Sequence, residues 1–267
     1  MGCLQMQTVT LVVDETKLGA CMGVMLVGLA YEGRCIPLAW RAYKSNEHAA
    51  YPAEGQSRLI MRLLKAIRAG LPSAVKVRVL ADRGIGTSPL LMRGIAAMGW
   101  TFLFRVTKQS KLVLPDGSQS TFYDQVQQPG ERFQASGRVF KQRGRLEAHV
   151  RVLWAANARE PWALVTNDPT LSGWEYAHRM WVEPAIRDLK SHGWRWGQSG
   201  LTQPARVEHL LLLLALAYTA LLLFAARLEQ AALTFPTRRR PDGSRVRRLS
   251  LFQEGFAALD PPFSSFV

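Results

Sequence analysis

The first third of the chain opens with stretches in which apolar and β-branched residues predominate. Residues 8–14 read TVTLVVD, and two further runs, 24–33 and 34–43, meet at Glu32 and Gly33. Such runs are typical of buried strands, and a glycine-containing pair between two of them is typical of a hairpin turn. The pattern therefore predicts three strands before any helix.

Helical and extended patterns alternate in the next part of the chain. Apolar residues recur at helical spacing within 54–70, and residues 76–82 form a short run typical of a buried strand. A short helix is predicted over 89–98 and a further strand over 100–106. Strands that alternate with helices favour parallel pairing within one sheet.

This alternation stops at about residue 107. Turn-forming pairs separate short stretches of alternating apolar and polar residues as far as about 172, which predicts a small antiparallel insertion. Helical character returns over 174–192 and over 206–230. We therefore predict four segments: 1–106 as the first part of a core domain, 107–172 as a β-strand insertion, 173–232 as the catalytic and buried helices of the core, and 233–267 as a basic C-terminal tail.

The segment 210–226 is apolar except for Thr219 and the Tyr218 hydroxyl. A membrane-spanning helix needs about 20 such residues. We interpret this segment as a fully buried core helix, because the sequence contains no second candidate span. A membrane-associated protein built around this helix is the alternative.

The net charge of the chain indicates which class of partner it binds. Lys and Arg total 34 against 20 Asp and Glu, which gives a formal net charge of +14. A balance this basic suits a polyanion, either nucleic acid or an anionic membrane surface. Cys3, Cys21 and Cys35 lack the spacing of a zinc site and the even number of a disulfide framework, and no secretory signal is evident, so we expect a cytoplasmic protein. The arginine-rich tail beyond Phe235 is expected either to follow DNA phosphates or to be disordered.

Two acidic residues stand where strands of the predicted sheet end. Three strands, a helix, a strand, a helix and a strand are the element order of a ribonuclease H-like fold. If the first and fourth strands are parallel neighbours, Asp14 and Asp82 lie side by side at their carboxyl ends. Two neighbouring carboxylates repel each other and favour a divalent cation between them. Each Asp taken alone is more often a turn or helix-capping residue.

A third acidic residue lies among cations in the helical segment YAHRMWVEPAIRDLK, residues 176–190. At helical spacing, one face of this segment carries Tyr176, Arg179, Glu183, Arg187 and Lys190. The carboxylate on this face can reach a metal ion while the cations meet DNA phosphates on either side. An ordinary solvated face with spaced ion pairs is the alternative.

Nearby residues refine this prediction. Pro184 has no backbone N–H and clashes with the carbonyl four residues earlier, so the helix is predicted to bend or to start near Glu183. Trp194 and Trp196 are interpreted as core residues rather than as platforms for base stacking.

The spacing of Tyr176, Arg179, Glu183 and Lys190 resembles the signature of transposases of the insertion-sequence-four group. The resemblance implies an α/β, ribonuclease H-like mixed sheet flanked by helices, with a β-rich insertion between the second Asp and the Glu. It also implies that Asp14, Asp82 and Glu183 are catalytic and hold two Mg²⁺ ions, with Mn²⁺ able to substitute. Tyr176, Arg179 and Lys190 are then similar to the family's phosphate contacts.

The same resemblance implies cut-and-paste transposition, with metal-dependent cleavage and strand transfer at the ends of an insertion sequence. The expected partners are the terminal inverted repeats, the target DNA and a second copy of the chain, with no membrane involved. The expected location is the bacterial cytoplasm, in association with the nucleoid. A truncated, non-catalytic DNA-binding remnant of a transposase is the alternative function.

Overall fold

The computed structural model describes residues 8–45, 47, 51–141, 144–231, 237–239, 245–247 and 249–259. Five strands form the first part of one large sheet, in the spatial order β3-β2-β1-β4-β5. Their bounds are β1 Thr8–Leu18, β2 Met22–Tyr31, β3 Arg34–Lys44, β4 Lys76–Ala81 and β5 Thr101–Arg105.

The direction of these strands defines the fold. β1 runs antiparallel to β2 and parallel to β4, and β4 runs parallel to β5. The predicted hairpin between β2 and β3 is confirmed, with positive φ angles of 45° at Glu32 and 78° at Gly33. An antiparallel three-strand meander followed by two parallel strands, with helices on both faces, is a ribonuclease H-like arrangement. The predicted fold class is confirmed.

The first strand is longer than the sequence pattern indicated. We expected the strand to end at Asp14, but β1 continues to Leu18 because β2 remains paired with it as far as the Leu18 and Met22 register. The parallel pairing with β4 ends earlier, at Val13 and Ala81. Asp14 therefore lies where one neighbouring strand has ended and the other continues.

Helices cover both faces of the sheet. On one face, Leu11 and Val13 pack in a core with α1 and α3, whereas Val12, on the opposite face, packs in a core with α4, α5 and α6. This division follows from the alternation of side chains along a strand. The helices are α1 Gln56–Gly70, α2 Arg83–Gly86, α3 Pro89–Ala97, α4 Val182–Arg187, α5 Pro204–Gln230 and α6 Leu251–Leu259.

The predicted insertion is composed of antiparallel strands that extend the core sheet rather than forming a separate one. Strand β10 pairs antiparallel with β5, and the sheet continues through β9, β8, β6 and β7 to reach ten strands. These strands are β6 Lys111–Val113, β7 Gln119–Thr121, β8 Arg132–Val139, β9 Leu146–Leu153 and β10 Trp162–Thr166. The insertion therefore begins from the edge of the core at β5.

The segment that carries Glu183 changes helical form twice. A 3₁₀ helix spans Trp174–Trp181, α4 follows it, and a π-helical turn spans Asp188–His192. Pro184 lies in the first turn of α4, directly after the 3₁₀ helix, and its missing N–H and its ring disfavour one continuous α-helix through this point. The predicted helix start near Glu183 is confirmed. The uniform helical face assumed for 176–190 is wrong, because the three forms place successive residues at different angles.

The long apolar helix α5 is not fully buried, so that expectation is wrong. It is anchored to β3 through Glu208, which accepts a hydrogen bond of 2.8 Å from the Ala42 N–H. By length and composition it could cross a membrane, but only 33 % of its most apolar stretch is buried in the protein. One face is buried from Val207 to Ala225, and the opposite face exposes five large apolar side chains. These are Leu212, Leu213, Leu216, Leu223 and Phe224.

Part of the basic tail is folded, which contradicts the disordered alternative for those residues, and contact with DNA phosphates stays a prediction. Strands β11 Thr237–Arg239 and β12 Arg245–Arg247 pair as a hairpin, and α6 packs along α5. Phe252 on α6 is buried and contacts the rings of Trp194 and Tyr218 at centroid distances of 5.4 and 5.2 Å. Trp196 is also buried and Trp194 packs partly buried against the same cluster, so the core interpretation is confirmed for Trp196 and holds in part for Trp194.

The two faces of α5 should respond differently to the same substitution. Leu222→Ala, at a fully buried side chain, should lower the free energy of unfolding by about 2–5 kcal/mol. Leu216→Ala, at a side chain that is 61 % exposed, should change it by less than about 0.5 kcal/mol. Urea denaturation of both variants measures the difference. Equal losses would show that the outer face of α5 is covered in solution.

Candidate active site

The register of β1 against β4 brings two acidic residues together. Val13 pairs with Ala81, so Asp14 and Asp82 are the next residues of two parallel neighbouring strands. Asp14 shares a face of β1 with Val12, which packs in the core under α4. Its carboxylate therefore points towards the segment that carries Glu183.

One guanidinium group joins all three predicted acids. Arg179 donates from Nη2 to Asp14 Oδ1 at 2.9 Å, and the same nitrogen lies 3.4 Å from Asp82 Oδ2. Its other terminal nitrogen, Nη1, donates to Glu183 Oε1 at 2.6 Å. Carboxylates from two strands and a helix, far apart in the sequence, therefore meet around one cation.

These contacts limit how far apart the acids lie. Oδ1 of Asp14 and Oδ2 of Asp82 lie 2.9 and 3.4 Å from the same nitrogen, so the two oxygens are separated by less than about 6.5 Å, close enough to share a two-ion centre. Glu183 contacts the neighbouring nitrogen of the same planar group. The structure brings Asp14, Asp82 and Glu183 together, and their catalytic role stays a prediction.

The two oxygens of Asp82 have different partners. Oδ1 accepts hydrogen bonds from the N–H groups of Gly84 and Ile85, at 3.0 and 3.2 Å, and thereby caps the N-terminus of α2. Oδ2 faces Arg179. The capping role that we weighed against a functional role for Asp82 is therefore present together with a position in the acidic cluster.

Burial dominates the electrostatics of Asp14. Its side chain is 13 % exposed, and desolvation raises the pKa of the carboxyl from its ordinary value to about 6. The Arg179 guanidinium opposes this rise, and the nearby Asp82 charge adds to it. Desolvation also acts against the charge on Arg179, but Asp14 and the other anions around it outweigh this effect and raise its pKa. Arg179 therefore remains charged.

The chemistry of the site fits a hard divalent cation. All three acids offer oxygen atoms, which Mg²⁺ and Mn²⁺ prefer as ligands. Within the residues that the structure describes, however, no group of three His, Cys, Asp or Glu side chains stands at the spacing of metal ligands. The Arg179 guanidinium lies between the carboxylates. The donor set fits a metal once this group has moved.

The predicted DNA contacts occupy different environments. Arg187 is exposed at the end of α4. Lys190 is half-buried, donates to Thr16 Oγ1 at 3.3 Å and also contacts the backbone carbonyl of Lys17, at the end of β1. Tyr176 is 2 % exposed and packs against Trp162 with ring centroids 5.1 Å apart, so the structure does not present its ring at the surface. Phosphate binding by these residues stays a prediction.

A buried polar network that the sequence did not indicate holds the Glu183 segment in place. Asp188, at the start of the π-helical turn, accepts a 2.6 Å hydrogen bond from Arg34 Nε and a 3.1 Å hydrogen bond from the Tyr218 hydroxyl. Arg34 belongs to β3 and Tyr218 to α5. The network therefore ties the segment to the sheet and to the long helix, and it is a positioning device for Glu183.

An open cleft of about 310 Å³ adjoins the acids on the other side of β1. It contains a further acid, Glu15, which accepts a 3.3 Å hydrogen bond from Gln56 at the start of α1. Burial raises the pKa of Glu15. The sequence pattern did not lead us to predict a functional role for Glu15, although this acid directly follows Asp14. The cleft is lined by Asp14, Glu15, Lys17, Gln56, Asp82, Gly84 and Ile85.

Comparison with known families gives a match over more than half of the chain. A family model described as "Transposase DDE domain" matches residues 52–220. This range includes Asp82, Arg179 and Glu183 and starts after β1. No curated protein matches the sequence.

Solved structures show a loose similarity at low sequence identity. The catalytic domain of human endonuclease V is 13 % identical with a TM-score of 0.35, covering 69 % of this chain and 81 % of that chain. Endonuclease V from Bacillus subtilis is 14 % identical with a TM-score of 0.34, covering 70 % and 80 %. The Argonaute of A. aeolicus is 10 % identical with a TM-score of 0.30, covering 75 % and 27 %. The strand order of this chain, by contrast, is that of a ribonuclease H-like fold.

The raised pKa of Asp14 predicts a pH-dependent stability in metal-free buffer. A carboxyl whose folded pKa is about 6 favours folding most below its unfolded value of 3.8, and this contribution is lost as the pH rises through 6. Relative to Asp14→Asn, the wild type should lose on the order of 2 kcal/mol of unfolding free energy between pH 4 and pH 7. Urea denaturation with a chelator present measures this loss. Parallel pH profiles of the two proteins would contradict the assignment.

Proposed function

Because the chain belongs to the transposase DDE domain family, we propose that it is the catalytic core of a transposase of the insertion-sequence-four group. It cleaves DNA at the ends of an insertion sequence and transfers the freed strands to target DNA by cut-and-paste transposition. The observation that carries the proposal is the convergence of Asp14, Asp82 and Glu183 on one cation, at the carboxyl ends of two parallel strands.

The proposed holders of the metal are the same three acids. Two Mg²⁺ ions, or Mn²⁺ in their place, supply Lewis-acid stabilisation of the charge that develops at the reacting phosphate. With a pKa of about 6, Asp14 is mostly ionised at neutral pH. Asp82 presents Oδ2 to the site while its Oδ1 stays on the helix cap. Glu183 is the most exposed of the three and completes the set from α4.

The proposed DNA-binding set surrounds these acids. Arg187 is exposed and available to a phosphate, and Lys190 brings an ammonium group to the end of β1. Arg179 supplies the charge nearest to the acids. Tyr176 belongs to the same proposed set, although its ring is buried in the structure. Contacts between side chains and the phosphates of DNA fix the position of the DNA without reading its base sequence.

The wider setting follows from the same proposal. The net charge of +14 supports binding to the terminal inverted repeats and to the target DNA. Two element ends are cut together, so we propose a homodimer assembled on DNA. We also propose that it acts in the bacterial cytoplasm at the nucleoid, without a membrane.

Conservative substitution of each acid tests the proposal. Asp14→Asn, Asp82→Asn and Glu183→Gln should each lower Mg²⁺-dependent cleavage by at least about a hundredfold, because each removes an anionic ligand. The substrate is linear DNA that carries the genomic sequences flanking the coding region. Glu147→Gln is the matched control, because this acid lies on β9 with a side chain that is 77 % exposed.

The outcome separates two functions. Full cleavage by the three variants would remove the enzymatic assignment to these residues. DNA binding by the wild type without cleavage in either Mg²⁺ or Mn²⁺ would favour a non-catalytic DNA-binding remnant. Circular dichroism of each variant shows whether the fold is intact.

A further inference from the structure

The position of the Arg179 guanidinium has a consequence beyond charge balance. We propose that Arg179 is an internal counter-cation, which occupies the meeting point of the three acids in the metal-free protein and is displaced when a divalent cation binds. This inference rests on the proposed function, since it assigns the same acids to the metal. It adds a positioning residue and a coupling between metal binding and DNA binding.

The charges of the cluster favour a cation among the acids. Three carboxylates gather around one guanidinium, and the side chains of Arg179 and Asp14 are only 11 % and 13 % exposed. Screening by water is weak at Asp14 and stronger at Asp82 and Glu183, whose side chains are 37 % and 49 % exposed, so the repulsion acts mainly on Asp14. A bound cation is therefore needed to keep them together. Arg179 is the cation that the folded chain itself provides.

The guanidinium of Arg179 also occupies the space between the carboxylates. The hydrogen bonds from Arg179 to Asp14 and Glu183, at 2.9 and 2.6 Å, have the lengths of charge-assisted pairs. They engage Oδ1 of Asp14 and Oε1 of Glu183, which face the centre of the cluster. Mg²⁺ binds oxygen at about 2.0–2.1 Å. A guanidinium and a metal ion cannot occupy the centre together, so one excludes the other.

Arg179 has few hydrogen bonds to lose when it leaves the cluster. Its Nε is buried without a hydrogen-bond partner, so displacement breaks only the bonds to the three carboxylates. A divalent cation replaces those bonds with stronger ones. Exposure to water also satisfies Nε, which removes the cost of an unpaired buried donor. The exchange is therefore favourable for the arginine as well as for the acids.

A displaced guanidinium becomes available to DNA beside the reacting centre. In the metal-free protein its charge is spent on Asp14, Asp82 and Glu183, so it is a poor partner for a phosphate. Once a cation has replaced it, the same group can donate two hydrogen bonds to a phosphate. Metal binding then increases the affinity for DNA, and by thermodynamic linkage DNA increases the affinity for metal.

Mn²⁺ binding to the whole chain without DNA tests the competition. Electron paramagnetic resonance measures free Mn²⁺ during titration of the wild type, Arg179→Gln and Arg68→Gln. The Arg179→Gln protein should bind Mn²⁺ at least about tenfold more tightly than the wild type, because the internal competitor is gone. Arg68→Gln should bind it as the wild type does, since Arg68 is an exposed cation on α1. Equal or weaker binding by folded Arg179→Gln would overturn the inference.

A second measurement needs no substitution at the site. Phenylglyoxal modifies accessible guanidinium groups, and mass spectrometry locates the modified arginines in the wild type. Modification of Arg179 should increase severalfold when Mg²⁺ is added, while Arg68 should be modified equally with and without it. Unchanged modification of Arg179 at a Mg²⁺ concentration that saturates the protein would show that the guanidinium is not displaced.

The two proposals fail in different ways. If the wild type binds Mn²⁺, Asp14→Asn does not, and Arg179→Gln binds it no more tightly, only the counter-cation inference fails. If neither the wild type nor Arg179→Gln binds Mn²⁺ at millimolar concentration, with or without DNA, the metal centre of the proposed function fails too.

Discussion

The repulsion among three carboxylates is the constraint on which the functional part of this structure depends. The register of β1 and β4 fixes Asp14 beside Asp82, and α4 adds Glu183. Bringing such groups together costs free energy unless a cation lies among them. In the structure the cation is Arg179, four residues before Glu183. One short segment therefore supplies both an acid of the site and the charge that offsets it.

The segment that carries Glu183 is fixed from behind by a second set of charges. Asp188 is buried and bound by Arg34 and Tyr218, so the end of α4 is tied to β3 and α5. Removing one partner of such a buried pair leaves an uncompensated group and is strongly unfavourable. The buried contacts of Asp188 thus support α4 from the core side, while Arg179 contacts Glu183 on the opposite side. In the displacement that we propose, Glu183 keeps its position while its cationic partner changes.

Much of the sheet could be predicted from the sequence because its strands are apolar and because most strands pair with a strand that is close in the sequence. The pairing of Asp14 with Asp82 followed from that order, and Pro184 indicated where α4 starts. The contact between Arg34 and Asp188 could not be predicted, since it joins residues 154 positions apart that carry no pattern. The exposed face of α5 was missed for a different reason. Leucines occur all around that helix, so periodicity did not distinguish its two faces.

Asp82 illustrates how tightly secondary structure and chemistry are joined in this chain. One carboxylate oxygen caps the N-terminus of α2 and the other faces the cluster of acids. Only the second oxygen is therefore available to a cation. A glutamate would preserve the negative charge, yet its extra methylene group could not serve both directions, and Glu is a poorer helix cap than Asp. The length of the side chain, and not only its charge, is therefore under constraint at this position.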